Sequence, residues 1–129
     1  MTRIMRRSIG VVVHLLSLMT RPVQIARSEQ ELRLLAQELK HLRLYDYKGC
    51  PDSMRVHHTL HRLNLDVQYC DIRRRQVHCD DLLSQYGSLH APCLRVESPT
   101  GVQWIDQPDE IIRYLVEHFD PQVTQGAAA

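Results

Sequence analysis

No two of the four cysteines in this chain form a C-x-x-C pair; Cys50, Cys70, Cys79 and Cys93 stand well apart. That removes the usual basis for a structural zinc ribbon. Cys70 and Cys93 lie inside apolar, strand-like runs, where a thiol acts as a small buried hydrophobe, so a disulfide framework is not expected either. The domain reads as one that works in a reducing compartment. A charge excess of one sign is also missing: 16 basic and 15 acidic residues leave a net charge of +1, which gives no general case for nucleic acid. Long apolar runs are lacking too. The stretch from Ile9 to Met19 is closed by Arg7 and Arg21, which leaves 13 residues between them. As a helix these reach about 20 Å, against about 30 Å of bilayer hydrocarbon.

What is present in residues 1–22 is basic and apolar: Arg3, Arg6 and Arg7 precede the run, and Met19-Thr20-Arg21-Pro22 offers no small-x-small cleavage site. The segment is expected to lie on a membrane surface as an uncleaved anchor, its basic side toward anionic headgroups. The alternatives are a cleaved signal, or a helix packed on the protein or a partner.

The rest suits one domain, since 129 residues bury one core but not two. Ser28 followed by Glu31 is a capping box, and Leu32, Leu35, Leu39 and Leu42 recur at helical spacing, so residues 23–41 read as a helical extension. Leu42 to Tyr47 alternates apolar and polar residues, the period of a half-buried strand. Asp66 to Ile72 alternates in the same way. Val77 to Tyr86 reads as a helix stopped by Gly87, and Asp109 to Phe119 as a strongly amphipathic last helix. Pro92–Glu97 and Val102–Ile105 flank Ser98-Pro99-Thr100-Gly101 and read as a hairpin. Residues 121–129 are expected to be a disordered tail. The order is β-α-β-α-β-β-α behind the extension, a mixed sheet in residues 42–120.

Between the first strand and the next helix stand Lys48 and Gly49 as a turn, then Cys50, then Pro51 where a first helical residue belongs. Val56, Leu60 and Leu63 carry the helix until Asn64. A cysteine at that junction faces unpaired backbone N–H groups and the positive end of the helix dipole, and both favour thiolate. Ser53, one turn on, is placed to give the sulfur a hydroxyl hydrogen bond, whereas the Asp52 carboxylate opposes ionisation.

Three stretches then carry a likeness: Leu44-Tyr45-Asp46-Tyr47-Lys48-Gly49-Cys50-Pro51, Tyr86-Gly87 ahead of Ala91-Pro92-Cys93-Leu94, and Trp104 through Leu115. Together they resemble the glutaredoxin and glutathione-transferase N-terminal branch of the thioredoxin superfamily, over about Arg43 to Phe119. The likeness is greatest to bacterial glutaredoxin-like proteins with a short membrane-proximal extension. The resemblance implies a thioredoxin-like α/β fold with four strands and a cis Ala91–Pro92 bond facing Cys50. It implies glutathione as cosubstrate, with no metal expected. It makes Cys50 the catalytic residue, supported by Ser53, and assigns Lys48, Pro51, Ala91, Pro92, Gln107 and Asp109 to glutathione binding. The implied activity is deglutathionylation of an unnamed client, at the cytoplasmic side of the inner membrane or in the cytoplasm. The alternative is a non-catalytic glutathione- or protein-binding module.

Two departures from the family bear on that choice. Ser53 stands where a second cysteine is often found, so the motif forms no internal disulfide. Gln107-Pro108 replaces a pair ending in serine, which removes a hydroxyl and an N–H from the expected γ-glutamyl site; Asp106 and Asp109 remain to hold its amino group. A cluster shared between two subunits through Cys50 is disfavoured by Pro51 and Asp52, where such relatives carry Gly and Phe. His57, His58 and His61 read as a solvated helix face, and Arg73-Arg74-Arg75 as a solvated loop. Trp104 reads as an anchor packed on the sheet.

Overall fold

The computed structural model describes residues 23–127; the expected anchor, residues 1–22, lies outside them. The elements run α1 (Glu29–Leu39), β1 (Leu42–Asp46), α2 (Pro51–Arg62), β2 (Gln68–Asp71), α3 (Gln76–Gln85), β3 (Cys93–Ser98), β4 (Gly101–Ile105), α4 (Pro108–Phe119) and α5 (Pro121–Ala127). The strands form one sheet in the order β2-β1-β3-β4. β1 pairs parallel with β2 and antiparallel with β3, and β3 pairs antiparallel with β4, so the mixed four-stranded, thioredoxin-like arrangement is present as expected.

The alternation of β1 sorts the core into two faces. Leu42 and Leu44 join Val56 and Leu60 of α2 and Ile111, Leu115 and Phe119 of α4 in the larger cluster. Tyr45 points the other way, with Cys70, Leu82 and Cys93 under α3. Trp104 is half-buried there as an anchor, its ring centroid 5.7 Å from Tyr45 and 5.3 Å from Tyr86.

The helix ends follow from local chemistry. Ser28 Oγ accepts from Glu31 N while Glu31 answers to Ser28 N, closing the capping box. Asn64 takes a left-handed φ of 54°, its N–H bonding the His61 carbonyl and the next N–H bonding that of Leu60. That is the reciprocal C-terminal motif in which asparagine substitutes for glycine.

The extension is part of the core rather than an appendage, since Leu35 and Leu39 are buried in the larger cluster. It is fastened by Arg27, whose guanidinium donates to the Leu63 carbonyl at 2.9 and 3.0 Å and to the Phe119 carbonyl at 2.7 Å. One cation thus caps the negative ends of both α2 and α4.

The tail departs from expectation: residues 121–127 are helical, not disordered. Asp120, buried and held by Arg62 at 3.4 Å, accepts from Gln122 N at 3.0 Å, and Pro121 is pre-set for the first helical position.

Candidate functional site

Cys50 is the N-cap of α2, with φ −72° and ψ 122°, and no side chain caps the helix in its place. The residue is 5% exposed. Its sulfur therefore lies inside a cleft rather than open at the helix start, and that is more closed than the sequence suggests. The cleft, about 380 Å³, is bounded by Cys50, Ser53, Met54 and His57 of α2, by Tyr47 and Lys48 of the preceding turn, and by Tyr69, Asp71 and Arg74.

Burial pushes the Cys50 thiol up, but hydrogen bonds outweigh it and the thiol ionises below its ordinary value. The strongest pull comes from the Ser53 hydroxyl, followed by the Ser53 N–H, the Tyr47 hydroxyl and the Asp52 N–H. Ser53 Oγ is fully buried and has no satisfied partner of ordinary geometry, so its proton is free for the charged sulfur. Asp52 acts through its backbone and in the opposite sense to the one expected of its carboxylate. Burial instead raises the Cys70 thiol and pushes Cys93 up to about 12, which makes both of them core groups.

The other expected residues gather at one end of the sheet, though not in one cleft. The Ala91–Pro92 bond is cis. Because Cys93 pairs with Tyr45, the two residues before it run beside the end of β1, next to the turn that carries Cys50. Lys48 stands exposed on the cleft rim, and Pro51 is the exposed first residue of α2. Gln107 is the N-cap of α4, makes no side-chain capping bond, and is followed by Pro108 at the first helical position. The two carboxylates expected to hold an amino group already have partners. Asp109 pairs with Arg55, and Asp106 Oδ2 accepts the Tyr86 hydroxyl at 2.6 Å.

The larger surprise is His57, which is half-exposed on its helix face yet turns one ring nitrogen toward the sheet. Its Nε2 is 2.8 Å from Oδ2 of Asp46, a fully buried carboxylate at the end of β1 whose Oδ1 has no partner. Tyr69 packs edge-on against the imidazole at 5.2 Å. Arg73 is not merely solvated either, since its guanidinium lies 3.7 Å from the centre of the Tyr47 ring. A signal for the Asp46–His57 pair existed: Asp46 continues the Leu42/Leu44 face, and His57 follows the core residue Val56. Among the described residues, no group of three or more His, Cys, Asp or Glu is placed to hold a metal ion.

The Asp46 carboxylate raises the His57 pKa against the opposing effect of burial. A raised folded-state value means the pair stabilises fully below the ordinary 6.5 and fades as pH climbs through the raised value. His57→Gln should therefore lower the urea midpoint most near pH 5.5–6, and the gap to wild type should shrink toward about pH 9. A gap constant across that range contradicts the pairing.

The protein-family model of the glutathione S-transferase N-terminal domain matches residues 44–122. The chain belongs to this family. No curated protein matches it. Among solved structures it is similar to a thioredoxin-like protein at 19% identity and TM-score 0.46, covering 56% of this chain and 96% of that one. It is also similar to maleylacetoacetate isomerase from Anaeromyxobacter dehalogenans 2CP-1, with bound dicarboxyethyl glutathione and citrate in the active site, at 25% identity and TM-score 0.48. That similarity covers 62% of this chain and 38% of the isomerase. The form of the same isomerase with bound GSH gives 23% identity and TM-score 0.47 over the same shares. In this glutathione S-transferase N-terminal domain the family match begins inside β1 and runs through α4, so it contains the Cys50 turn, the cis-proline and the start of α4.

Proposed function

We propose that the domain carries out glutathione-linked thiol–disulfide exchange through Cys50. The observation that carries the reading is the Cys50 sulfur itself, biased toward thiolate at the N-cap of α2 on the sheet end that also holds the cis Ala91–Pro92 bond. The thiolate attacks the glutathionyl sulfur of a mixed disulfide; a new S–S bond forms to Cys50, the old one breaks, and the client leaves as thiolate. A second glutathione thiolate attacks the adduct, releasing oxidised glutathione and restoring Cys50. Ser53 stabilises the sulfur whenever it is a leaving group. Lys48 on the rim attracts a glutathione carboxylate, and the backbone of Ala91, ahead of the cis Pro92, pairs with the cysteinyl part. The binding-module alternative is favoured by the low exposure of Cys50 and by the engagement of Asp106 and Asp109 elsewhere.

The test is direct. Incubated with oxidised glutathione and mapped by mass spectrometry, the protein should carry one glutathionyl group, on the Cys50 peptide. No adduct there, or adducts on Cys79 alone, would overturn the exchange reading.

The proposal also sets the domain at the cytoplasmic face of a membrane, held by residues 1–22. No helix among the described residues is long and apolar enough to cross a bilayer; what supports the anchor is the basic and apolar make-up of residues 1–22. The full chain should pellet with anionic vesicles and a chain lacking residues 1–22 should not; identical behaviour of the two removes the anchor.

A further inference from the structure

We infer that Arg73 is a positioning residue for the Cys50 sulfur: stacked on the Tyr47 ring, it holds the phenol hydroxyl where that group donates to the sulfur. Arg73 itself does not bond the sulfur, and its role rests on Cys50 being the reacting group of the exchange proposed above.

Tyr47 follows the last residue of β1 and opens the turn that leads to Cys50. That turn gives the ring little support. Lys48 and Gly49 are exposed, Gly49 has a φ of 94°, and the Cys50 N–H meets the Tyr47 carbonyl at a long 3.4 Å. Among the described residues no aromatic ring packs on Tyr47, whereas the Arg73 guanidinium carbon lies 3.7 Å from its centroid. A ring on such a turn has several rotamers open to it, and a cation over its face favours one of them.

The loop after β2 delivers Arg73 to that place. Asp46 and Asp71 are register partners where β1 and β2 end, and the Ile72 N–H donates to the Asp46 carbonyl at 2.9 Å. Asp71 Oδ1 then accepts the N–H groups of Arg73 and Arg74 at 2.9 Å each, a turn of the kind aspartate favours. Burial opposes ionisation of Asp71, but the Arg74 and Arg73 N–H groups, the Tyr69 hydroxyl and the Lys48 N–H hold its carboxyl below the usual value. One carboxylate thus ties the turn that carries Tyr47 to the loop that carries Arg73.

The other end of the link is the sulfur. Tyr47 and Cys50 line the same cleft, and against the opposing effect of burial the Tyr47 hydroxyl joins Ser53 in favouring the Cys50 thiolate. A hydroxyl bond depends on direction and weakens steeply as the ring swings away. Arg73 is exposed, so solvent screens its own attraction to the thiolate, and what it contributes passes through the ring.

The experiment follows the rate of Cys50 alkylation by iodoacetamide against pH in the full chain, read on the Cys50 peptide by mass spectrometry. Tyr47→Phe keeps a ring but removes the hydroxyl, and should move the midpoint up by about half a pH unit or more. Arg73→Gln should move it up by about half a pH unit, the scale of one exposed cation–ring contact, and by no more than Tyr47→Phe does. Added to Tyr47→Phe, Arg73→Gln should shift the midpoint by less than about 0.2 pH unit, because the hydroxyl it positions is gone. The other charged or titratable groups here are Lys48 in the turn, Asp52, His57 and His58 of α2, Tyr69 and Asp71 of β2, and Arg74. They are common to every variant, so differences between midpoints report the Arg73–Tyr47 link. Arg73→Gln leaves the N–H bond to Asp71 in place; Arg73→Ser replaces it, with the same expectation, if it unfolds at lower urea than wild type. An unmoved midpoint in Arg73→Gln or in Tyr47→Phe overturns the inference. So does an equal Arg73→Gln shift with and without the Tyr47 hydroxyl, which would mean direct attraction between Arg73 and the thiolate. If the midpoints move as expected but wild type releases no glutathione from a glutathionylated peptide, the exchange reading falls and the Arg73–Tyr47 link is upheld.

Discussion

Cys50→Ser should bring release of glutathione from a glutathionylated peptide down to the rate that free glutathione sustains alone. Serine matches cysteine in shape but is not ionised near neutral pH, so the attacking sulfur is lost with little strain at the N-cap; serine is itself a good cap. The variant should therefore be at least as stable as wild type, which separates lost chemistry from lost fold. Ser53→Ala provides the graded companion. It removes the strongest hydrogen bond holding the thiolate while burial of the sulfur stays, so the pH profile of Cys50 alkylation should move upward and turnover at fixed pH should fall several-fold. If Cys50→Ser and wild type release glutathione at the same background rate, the domain binds rather than catalyses.

Much of this architecture was legible because local rules and global packing agree. The alternation through Leu42–Tyr47, the Ser28/Glu31 box, the Pro51 and Pro108 helix starts and the Gly101 hairpin each point to the element that forms. The Cys50 junction was legible for the same reason, since a strand, a two-residue turn and a proline at the first helical position define a local geometry. What escaped detection depends on contacts between distant residues. Arg27 meets Leu63 and Phe119 across separations of 36 and 92 residues, and no local pattern marks it. The Asp46–His57 pair spans 11 residues and two elements, and a run of histidines on a polar-looking helix conceals that one turns toward the sheet. The tail misled because its composition is poor in apolar residues; its helix is started instead by Asp120, a capping residue whose burial is set by Arg62. The cleft was invisible for a further reason: Tyr69, Asp71 and Arg74 meet Cys50 only because β2 lies parallel to β1 at the sheet edge.

Pro108→Ser should tighten glutathione binding by about tenfold to a hundredfold, the yield of one restored charge-assisted hydrogen bond of about 1.5–3 kcal/mol. Proline at the first position of α4 has no N–H to offer, and Gln107 before it supplies no side-chain cap, so the start of this helix presents weak anion-binding groups. Serine returns both an N–H and a hydroxyl where a γ-glutamyl carboxylate is expected. The cost to the fold should be small, because serine is tolerated in a first turn that already carries Asp109 and Glu110. Asp109 sets an upper limit on the gain. It is paired with Arg55, so a ligand amino group must share or displace that guanidinium. Arg55→Gln added to Pro108→Ser should therefore raise affinity further than Pro108→Ser alone, by titration calorimetry at one ionic strength. Unchanged affinity in both variants would mean that glutathione does not lie across the start of α4, and that the proline marks a domain whose ligand is held elsewhere.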